Sequence, residues 1–168
     1  MGNELQIRKN IRLYGYDYSS AGYYFITICV KDRKELLGKV VGDDAHIVPP
    51  IVELSEYGII TEKYINNINK MNQDIFVDKY IIMPNHIHMI LVLRNAQDSG
   101  TMRASSPTAS KIPGTIRSMK ILVTKECGFS FWQRSFHDHI IRDEAEYRSI
   151  WQYIDVNPAL WDEDMYHV

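Results

Sequence analysis

The sequence predicts an α+β fold in which one mostly antiparallel sheet carries its helices packed on a face. Two observations predict this class. Strand-like and helix-like segments alternate in the order β-β-α-β-β-α-β-α, and neighbouring strands lie close enough in sequence to form hairpins. The 168 residues suffice for a single domain, taken as residues 1–168. Hydrophobic residues make up 45% and charged residues 24%, which is a globular balance and excludes a fully disordered chain.

The first half of the chain is expected to hold two strands and a helix. Residues 22–30 are rich in β-branched and aromatic side chains, and residues 36–41 are predicted to pair with them after the polar turn at 32–34. Two prolines then precede a helix predicted at about 51–69, whose apolar side chains fall roughly on one face.

The second half is predicted to contain three strands and two helices. Residues 76–83 and 86–93 form two strands, and the second is apolar on both faces, which predicts a central position in the sheet. Small and polar residues at 95–110 predict a flexible loop. The remaining predicted elements are a helix at 111–126, a strand at 131–141 and a helix at 143–156 that ends before Pro158.

Apolar stripes orient the last two helices. On the helix at 111–126 the stripe consists of Ile112, Ile116, Met119 and Val123. On the last helix the spacing i, i+3, i+4, i+7 is filled by Tyr147, Ile150, Trp151 and Ile154.

Charge and composition exclude several classes of protein. The formal net charge is −2, from 19 basic and 21 acidic residues, which excludes a globally basic nucleic-acid binder but not a locally basic face. Two cysteines are too few for a disulfide framework, so a reduced, cytoplasmic setting is expected. We expect no membrane span, no secretory signal and no nucleotide cofactor, because the corresponding apolar runs and glycine-rich loop are missing from the sequence.

The pair His86 and His88 is the first candidate site. Side chains two residues apart on a strand point to the same face, so both imidazoles can reach one metal ion. Two ligands alone do not hold a catalytic ion, and a third ligand must come from elsewhere. The alternative interpretation is that one or both are core histidines bonded to backbone carbonyls.

The last predicted helix supplies the second candidate site. Tyr153 lies well off the centre of the apolar stripe, and Asn157 lies one turn further along the same flank. A hydroxyl nucleophile and an amide oxygen therefore share a surface that packing alone does not explain. The alternative interpretation is an amphipathic tyrosine followed by an asparagine that ends the helix.

A second histidine pair, His137 and His139, also has the spacing of one strand face. It can complete a four-histidine site with His86 and His88, as in a small metal-dependent phosphoesterase. The other interpretations are that one member of the pair is structural or contacts a substrate phosphate.

Basic residues concentrate near the start of the chain and in residues 111–142, where six basic residues stand against two acidic ones. Such local charge suits contacts with nucleic-acid phosphates, although a solvated helix face would look the same. The candidate DNA-binding residues are Arg8, Lys9, Arg12, Arg117, Lys120, Arg134, His139 and Arg142.

These motifs together resemble a known family. MPNHIHMIL (83–91) resembles the histidine-hydrophobic-histidine motif of the single-tyrosine HUH transposases, and WQYIDVNP (151–158) resembles their tyrosine helix. The flanking stretches RKNIRLYGYDYSSAGYYFITICVKDRKELLG and FWQRSFHDHIIRDEAEYR are similar to those of the REP-associated tyrosine transposases, and all four occur in the expected order.

The resemblance implies a ferredoxin-like sandwich, usually a homodimer, that cleaves and rejoins single-stranded DNA near hairpins through a covalent bond between a tyrosine and a 5′-phosphate. It places His86 and His88 at the metal-ligand positions, Tyr153 at the nucleophile position and Asn157 at the third-ligand position. The expected cofactor is Mg²⁺ or Mn²⁺, with Mn²⁺ bound more tightly because it accepts imidazole more readily. The protein would then associate with the nucleoid when bound to DNA.

Two alternative functions and one structural question stay open at the level of the sequence. The alternatives are a non-catalytic module that binds hairpin DNA and the small phosphoesterase described above. In related transposases the tyrosine helix can pack on the partner subunit, whereas here only ten residues follow Pro158, so we expect a simple compact end.

Overall fold

The computed structural model describes residues 20–42, 49–94 and 111–167. The strands in these ranges are β1 (Gly22–Cys29), β2 (Gly38–Val41), β3 (Ile51–Leu54), β4 (Ile75–Ile82), β5 (His86–Leu93) and β6 (His137–Ile141). The α-helices are α1 (Glu56–Met71), α2 (Lys111–Cys127) and α3 (Glu144–Val156), and short 3₁₀ helices lie at Lys31–Arg33 and Asn157–Glu163. The predicted loop at 95–110 and the basic residues Arg8, Lys9 and Arg12 lie outside the described residues.

Four strands form the main sheet, in the order β4-β5-β1-β6, and every neighbouring pair is antiparallel. One helix, α1, precedes β4, and α2 joins β5 to β6, so that β5 is inserted between β1 and β4 as in a split β-α-β arrangement. This is the ferredoxin-like α+β fold that was expected. All eight residues of β5 are buried, which confirms its predicted central position.

Helices cover the two faces of the main sheet unequally. On one face α1 and α2 enclose most of the core, and the buried residues of α2 are the four that its sequence stripe predicted. On the other face α3 packs through Ile154 on a smaller cluster around Ile90 and Val92. Trp151, predicted to lie in the α3 stripe, is 40% exposed. The amine of Lys79 lies 3.6 Å from the centre of its ring, so this side chain sits at the rim and not in the core.

The predicted pairing of residues 36–41 with β1 is wrong. The 3₁₀ turn at Lys31–Arg33, in which Asp32 has φ 57°, leads the chain away from the main sheet. Strand β2 therefore pairs with β3 in a separate two-stranded sheet. Because Ile51–Leu54 is this strand, the helix predicted from residue 51 begins only at Glu56, after Ser55 accepts a hydrogen bond from the Gly58 N–H.

The predicted strand at 131–141 is also shorter than expected. Only His137–Ile141 is a strand, and Trp132 forms an isolated bridge with Val30. The physical reason is that the carbonyls of Gln133 and Ser135 bond to the Lys120 amine and not to a neighbouring strand. In the described part of the chain, no helix is both long and apolar enough to cross a membrane.

Candidate active site

The two histidines of β5 lie side by side on the face that α3 covers. Their ring nitrogens Nε2 are 3.0 Å apart, and the residues are 0% and 1% exposed. In the sheet, His86 stands opposite Cys29 and His88 opposite Thr27. The strand period of two therefore brings both imidazoles to one point, as their spacing predicted.

Asn85 determines which nitrogen of His86 carries the proton. Its side-chain amide donates to the backbone carbonyls of Arg33 and Tyr166, which turns its oxygen toward His86 Nδ1 at 2.8 Å. Nδ1 must then donate, since an amide oxygen can only accept, and Nε2 of the neutral ring is left with a bare lone pair. That lone pair faces His88 Nε2.

The second ring is oriented in a similar way. His88 Nδ1 lies 2.9 Å from the hydroxyl of Thr27. Burial is the largest cause that lowers the pKa of both His86 and His88 to about 3. Both rings are therefore neutral at physiological pH, the form in which imidazole binds metals.

The end of α3 brings Tyr153 to the histidines, and Asn157 follows it one turn later. The Tyr153 hydroxyl lies 3.3 Å from His88 Nε2. Burial is the largest cause that raises the pKa of this phenol, and the nearby Asp164 raises it further. Asn157 is fully buried, and within the described residues neither its amide oxygen nor its nitrogen has a hydrogen-bond partner.

Asp164 is a member of the site that sequence analysis missed. After the 3₁₀ helix the chain turns back toward the sheet, and the Asp164 carboxylate lies 3.9 Å from His86 Nε2 with its side chain 2% exposed. The ring of Tyr166 follows, with its centre 4.7 Å from that of His86. Asp164 and Tyr166 thus lie beside the two histidines. No sequence signal separates Asp164 from its acidic neighbours Asp162 and Glu163, because only the fold selects among them.

The side chains at this point fit a divalent cation. Ligand atoms of His86, His88 and Asp164 all lie within 4.8 Å of one another. Two nitrogens bound to one cation at about 2.1 Å and at a right angle would be about 3.0 Å apart, which matches the separation of the two Nε2 atoms. The unpartnered amide of Asn157 is a further oxygen donor, since a buried polar group without a partner is rare in native proteins.

The second histidine pair does not join the site. His137 and His139 lie on β6, which β1 separates from β5, and both are exposed. His139 Nε2 lies 2.6 Å from the Glu146 carboxylate, which supplies it with a partner of its own. Among the described residues, the acidic and histidine side chains that converge as a possible metal site include no member of β6. The proposed four-histidine site is therefore not formed.

Comparison with known proteins gives several relatives, although no family model matches the sequence. The chain is 34% identical over 175 residues to an uncharacterized protein of Haemophilus influenzae, covering 96% of this chain and 93% of the relative. It is 26% identical over 150 residues to a putative REP-associated tyrosine transposase of the same organism, covering 87% and 75% of the two chains. A REP-associated tyrosine transposase of Escherichia coli K12 is 22% identical over 143 residues, covering 84% and 69%.

The fold is also similar to that of a solved structure. A solved structure of a REP-associated tyrosine transposase bound to a REP hairpin has a TM-score of 0.60 at 22% identity, over 88% of this chain and 73% of that one. In sequence and in fold, the chain is therefore similar to REP-associated tyrosine transposases.

The predicted DNA-binding residues that are described fall in different environments. Arg117 and Arg134 are exposed, on α2 and on the segment that follows it. Lys120 is largely enclosed, and its amine donates to two backbone carbonyls, which sequence spacing did not reveal. His139 and the backbone N–H of Arg142 both bond to Glu146, so that this carboxylate weakens the positive charge expected there.

Proposed function

We propose that this protein is a metal-dependent DNA strand transferase, which cleaves and rejoins single-stranded DNA near hairpins through a covalent 5′-phosphotyrosine at Tyr153. The observation that carries the proposal is the 3.3 Å separation between the Tyr153 hydroxyl and His88 Nε2. A potential nucleophile and a pair of neutral imidazoles thereby meet at one point, with all the groups supplied by a single chain.

His86 and His88 would hold the cation, and Asn157 or Asp164 would supply oxygen ligands. Mn²⁺ or Mg²⁺ bound there would polarise a phosphoryl oxygen and stabilise the charge that develops on it. Mn²⁺ is expected to bind more tightly, because imidazole suits it better than it suits Mg²⁺. The Asp164 carboxylate alters the ligand set inferred from sequence, which consisted only of neutral groups.

The proposed step exchanges one phosphodiester for another. The Tyr153 oxygen attacks the phosphorus, the phenol loses its proton, and the bond from phosphorus to the 3′-oxygen breaks to leave a 3′-hydroxyl. The reverse attack by a 3′-hydroxyl releases the tyrosine and rejoins DNA without a nucleotide cofactor. Because burial raises the pKa of Tyr153, the phenol stays protonated at neutral pH until the reaction removes its proton.

The proposed partner is hairpin DNA, consistent with the solved relative that is bound to a REP hairpin. Homodimer formation is a further prediction from the family resemblance. His86, His88, Tyr153 and Asp164 of the proposed site come from the same chain, so the proposal does not need a dimer to bring them together. Action on DNA would place the protein at the nucleoid.

A labelled single strand that carries a REP-like hairpin tests the proposal. Incubation with Mn²⁺ is expected to give an adduct that survives denaturation, and Tyr153→Phe is expected to abolish it. Tyr64→Phe is the matched control, since the Tyr64 hydroxyl bonds to Glu126 on the helical side of the molecule. Tyr166→Phe tests the other phenol beside the histidines and is expected to retain the adduct.

The outcomes separate the candidate functions. An adduct that persists in Tyr153→Phe would show that the nucleophile is another residue. DNA binding without an adduct, in Mn²⁺ and in Mg²⁺, would favour the non-catalytic hairpin-binding module.

A further inference from the structure

The two histidines of the candidate site have hydrogen-bond partners of different kinds. Asn85 presents its amide oxygen to His86 Nδ1, because its amide nitrogen donates to two backbone carbonyls. Thr27 presents a hydroxyl to His88 Nδ1 at a distance of 2.9 Å. An amide oxygen can only accept a hydrogen bond, whereas a hydroxyl can either donate or accept one. The partner of His86 therefore fixes the proton on Nδ1, and the partner of His88 does not.

In protein kept in EDTA, the two rings are expected to adopt opposite tautomers. Both rings are neutral, so each carries one ring proton, and that of His86 lies on Nδ1. The bare Nε2 of His86 then lies 3.0 Å from His88 Nε2 in a fully buried position. If His88 Nε2 were bare as well, two lone pairs would face each other and His86 Nε2 would be a buried acceptor without a donor. His88 should therefore carry its proton on Nε2, and its Nδ1 accepts from the Thr27 hydroxyl.

A divalent cation held by both Nε2 atoms requires the other tautomer of His88. Only a bare ring nitrogen can donate a lone pair to a metal ion, so one proton must leave Nε2 and one must join Nδ1. The ring stays neutral through this exchange. Its Nδ1 becomes a donor to the Thr27 oxygen, and the Thr27 hydroxyl must turn from donor to acceptor. A partner limited to one of these roles would oppose one of the two states.

The surroundings of His88 restrict the ring, so that the proton is the part that moves. The ring stacks on that of Phe25, with the centres 5.1 Å apart and the planes at 27°. The centre of the Tyr153 ring lies 5.3 Å from that of His88, and His88 is 1% exposed. Turning an enclosed ring over would disturb close packing, whereas rotating a hydroxyl moves only one hydrogen atom. The Thr27 hydroxyl is thus the adjustable part of this contact.

We propose that Thr27 is a positioning residue, whose hydroxyl allows His88 to change tautomer when the site binds a divalent cation. The inference rests on the proposed function for the cation itself. The hydrogen bonds of Asn85, His86, His88 and Thr27 supply the rest of the argument. Of the two histidines, His86 is held ready for a cation by a fixed acceptor, and His88 is made ready by an adjustable partner.

Nitrogen chemical shifts of the histidine rings, measured by NMR, test the proposal directly. In EDTA, the full chain is expected to show His86 protonated on Nδ1 and His88 protonated on Nε2. Zn²⁺ is the probe for the loaded site, because it binds imidazole and has a filled d shell that leaves the spectrum sharp. Its addition is expected to move the His88 proton to Nδ1 and to leave that of His86 in place. The variants His86→Gln and His88→Gln assign the signals.

Mn²⁺ affinity, measured by titration, is the second readout. Thr27→Val keeps the shape of the side chain but removes the hydroxyl, and it is expected to weaken Mn²⁺ binding about tenfold, as when other partners of metal-binding histidines are lost. Thr27→Ser keeps a hydroxyl and is expected to restore most of the affinity. Thr61→Val is the matched control, since Thr61 is also buried but its hydroxyl donates to the Tyr57 carbonyl within α1. It should leave Mn²⁺ affinity unchanged, and thermal unfolding verifies that each variant is folded.

Three results would overturn the proposal: a His88 proton already on Nδ1 in EDTA, an unchanged Mn²⁺ affinity in Thr27→Val, or an equal loss of affinity in Thr61→Val. Wild-type protein that binds neither ion would overturn it together with the metal dependence of the strand transferase. Adduct formation, measured separately, keeps the two proposals distinct. If the tautomer changes as expected but no adduct forms, the strand transferase fails and the role of Thr27 stands. If the adduct forms and the tautomer does not change, the role of Thr27 alone fails.

Discussion

The face of the main sheet under α1 and α2 differs from the face under α3, although the same four strands build both. Along β5, Ile87 and Met89 point into the larger core, whereas His86 and His88 point to the opposite side. All four residues are buried. One face therefore consists of close-packed hydrocarbon, and the other holds neutral polar rings whose positions depend on hydrogen bonds. Within one strand, the apolar face is therefore suited to stability, and the polar face holds the groups of the proposed site.

The largest effects are expected from substitutions at Met89 and His88, which are neighbours in β5 but face opposite sides of the sheet. Met89→Ala should lower the free energy of unfolding by about 2–5 kcal/mol, because it leaves a cavity in the larger core. It should leave Mn²⁺ affinity unchanged. His88→Ala should abolish detectable Mn²⁺ binding, with a smaller loss of stability. Urea unfolding and Mn²⁺ titration measure the two quantities, and a loss of metal binding in Met89→Ala would contradict the separation.

The pH dependence of stability should come from the polar face. Because the folded pKa of His86 and His88 is about 3, below the usual 6.5, the unfolded chain binds more protons between these values. Stability is therefore complete above the unfolded pKa and falls as the pH drops through it. We expect a loss of up to about 4 kcal/mol between about pH 7 and pH 5, about 2 kcal/mol for each histidine, measured by urea unfolding in EDTA. If His86→Gln/His88→Gln shows the same slope, the histidines are not its source.

The next effect, on Mn²⁺ affinity, is expected from Asn85, which orients the His86 ring. Asn85→Leu keeps the approximate size of the side chain but removes the oxygen that accepts from His86 Nδ1. Mn²⁺ affinity should fall about 10–100-fold, as when other partners of metal-binding histidines are removed. Asn72→Leu is the control, since the Asn72 side chain bonds to Ile68 at the end of α1. Equal affinities for Asn85→Leu and wild type would show that the ring does not depend on this bond.

The smallest effect on stability is expected from a substitution at Lys79, which contacts α3 at the edge of the main sheet. The Lys79 amine pairs with Asp155 at 2.7 Å and lies over the Trp151 ring. Lys79→Met should reduce stability by about 1 kcal/mol or less, because Asp155 is largely exposed and both interactions are modest near water. Thermal unfolding measures the change. A loss as large as that of Met89→Ala would indicate that α3 depends on this contact far more than its exposure predicts.

The elements that sequence analysis predicted best are those with a long, regular pattern. Strands β4 and β5, the four buried residues of α2, and the start of α3 after Asp143 all follow from such patterns. The errors in the pairing and bounds of strands concern short segments. Strands β2 and β3 have four residues each, which is too short for alternation to reveal either a strand or its partner.

By itself, the sequence determined that His86 and His88 share a strand face and that Tyr153 and Asn157 share a helix flank. Both facts follow from the periods of two and 3.6 residues, which are local properties of the backbone. Only the tertiary structure decided that α3 lies on the sheet of its own chain, with the phenol 3.3 Å from His88. The tertiary structure also places the Asp164 carboxylate near His86 and the Lys120 amine against the backbone of residues 133–135. These arrangements join segments far apart in the chain, and no local pattern specifies the distance between them.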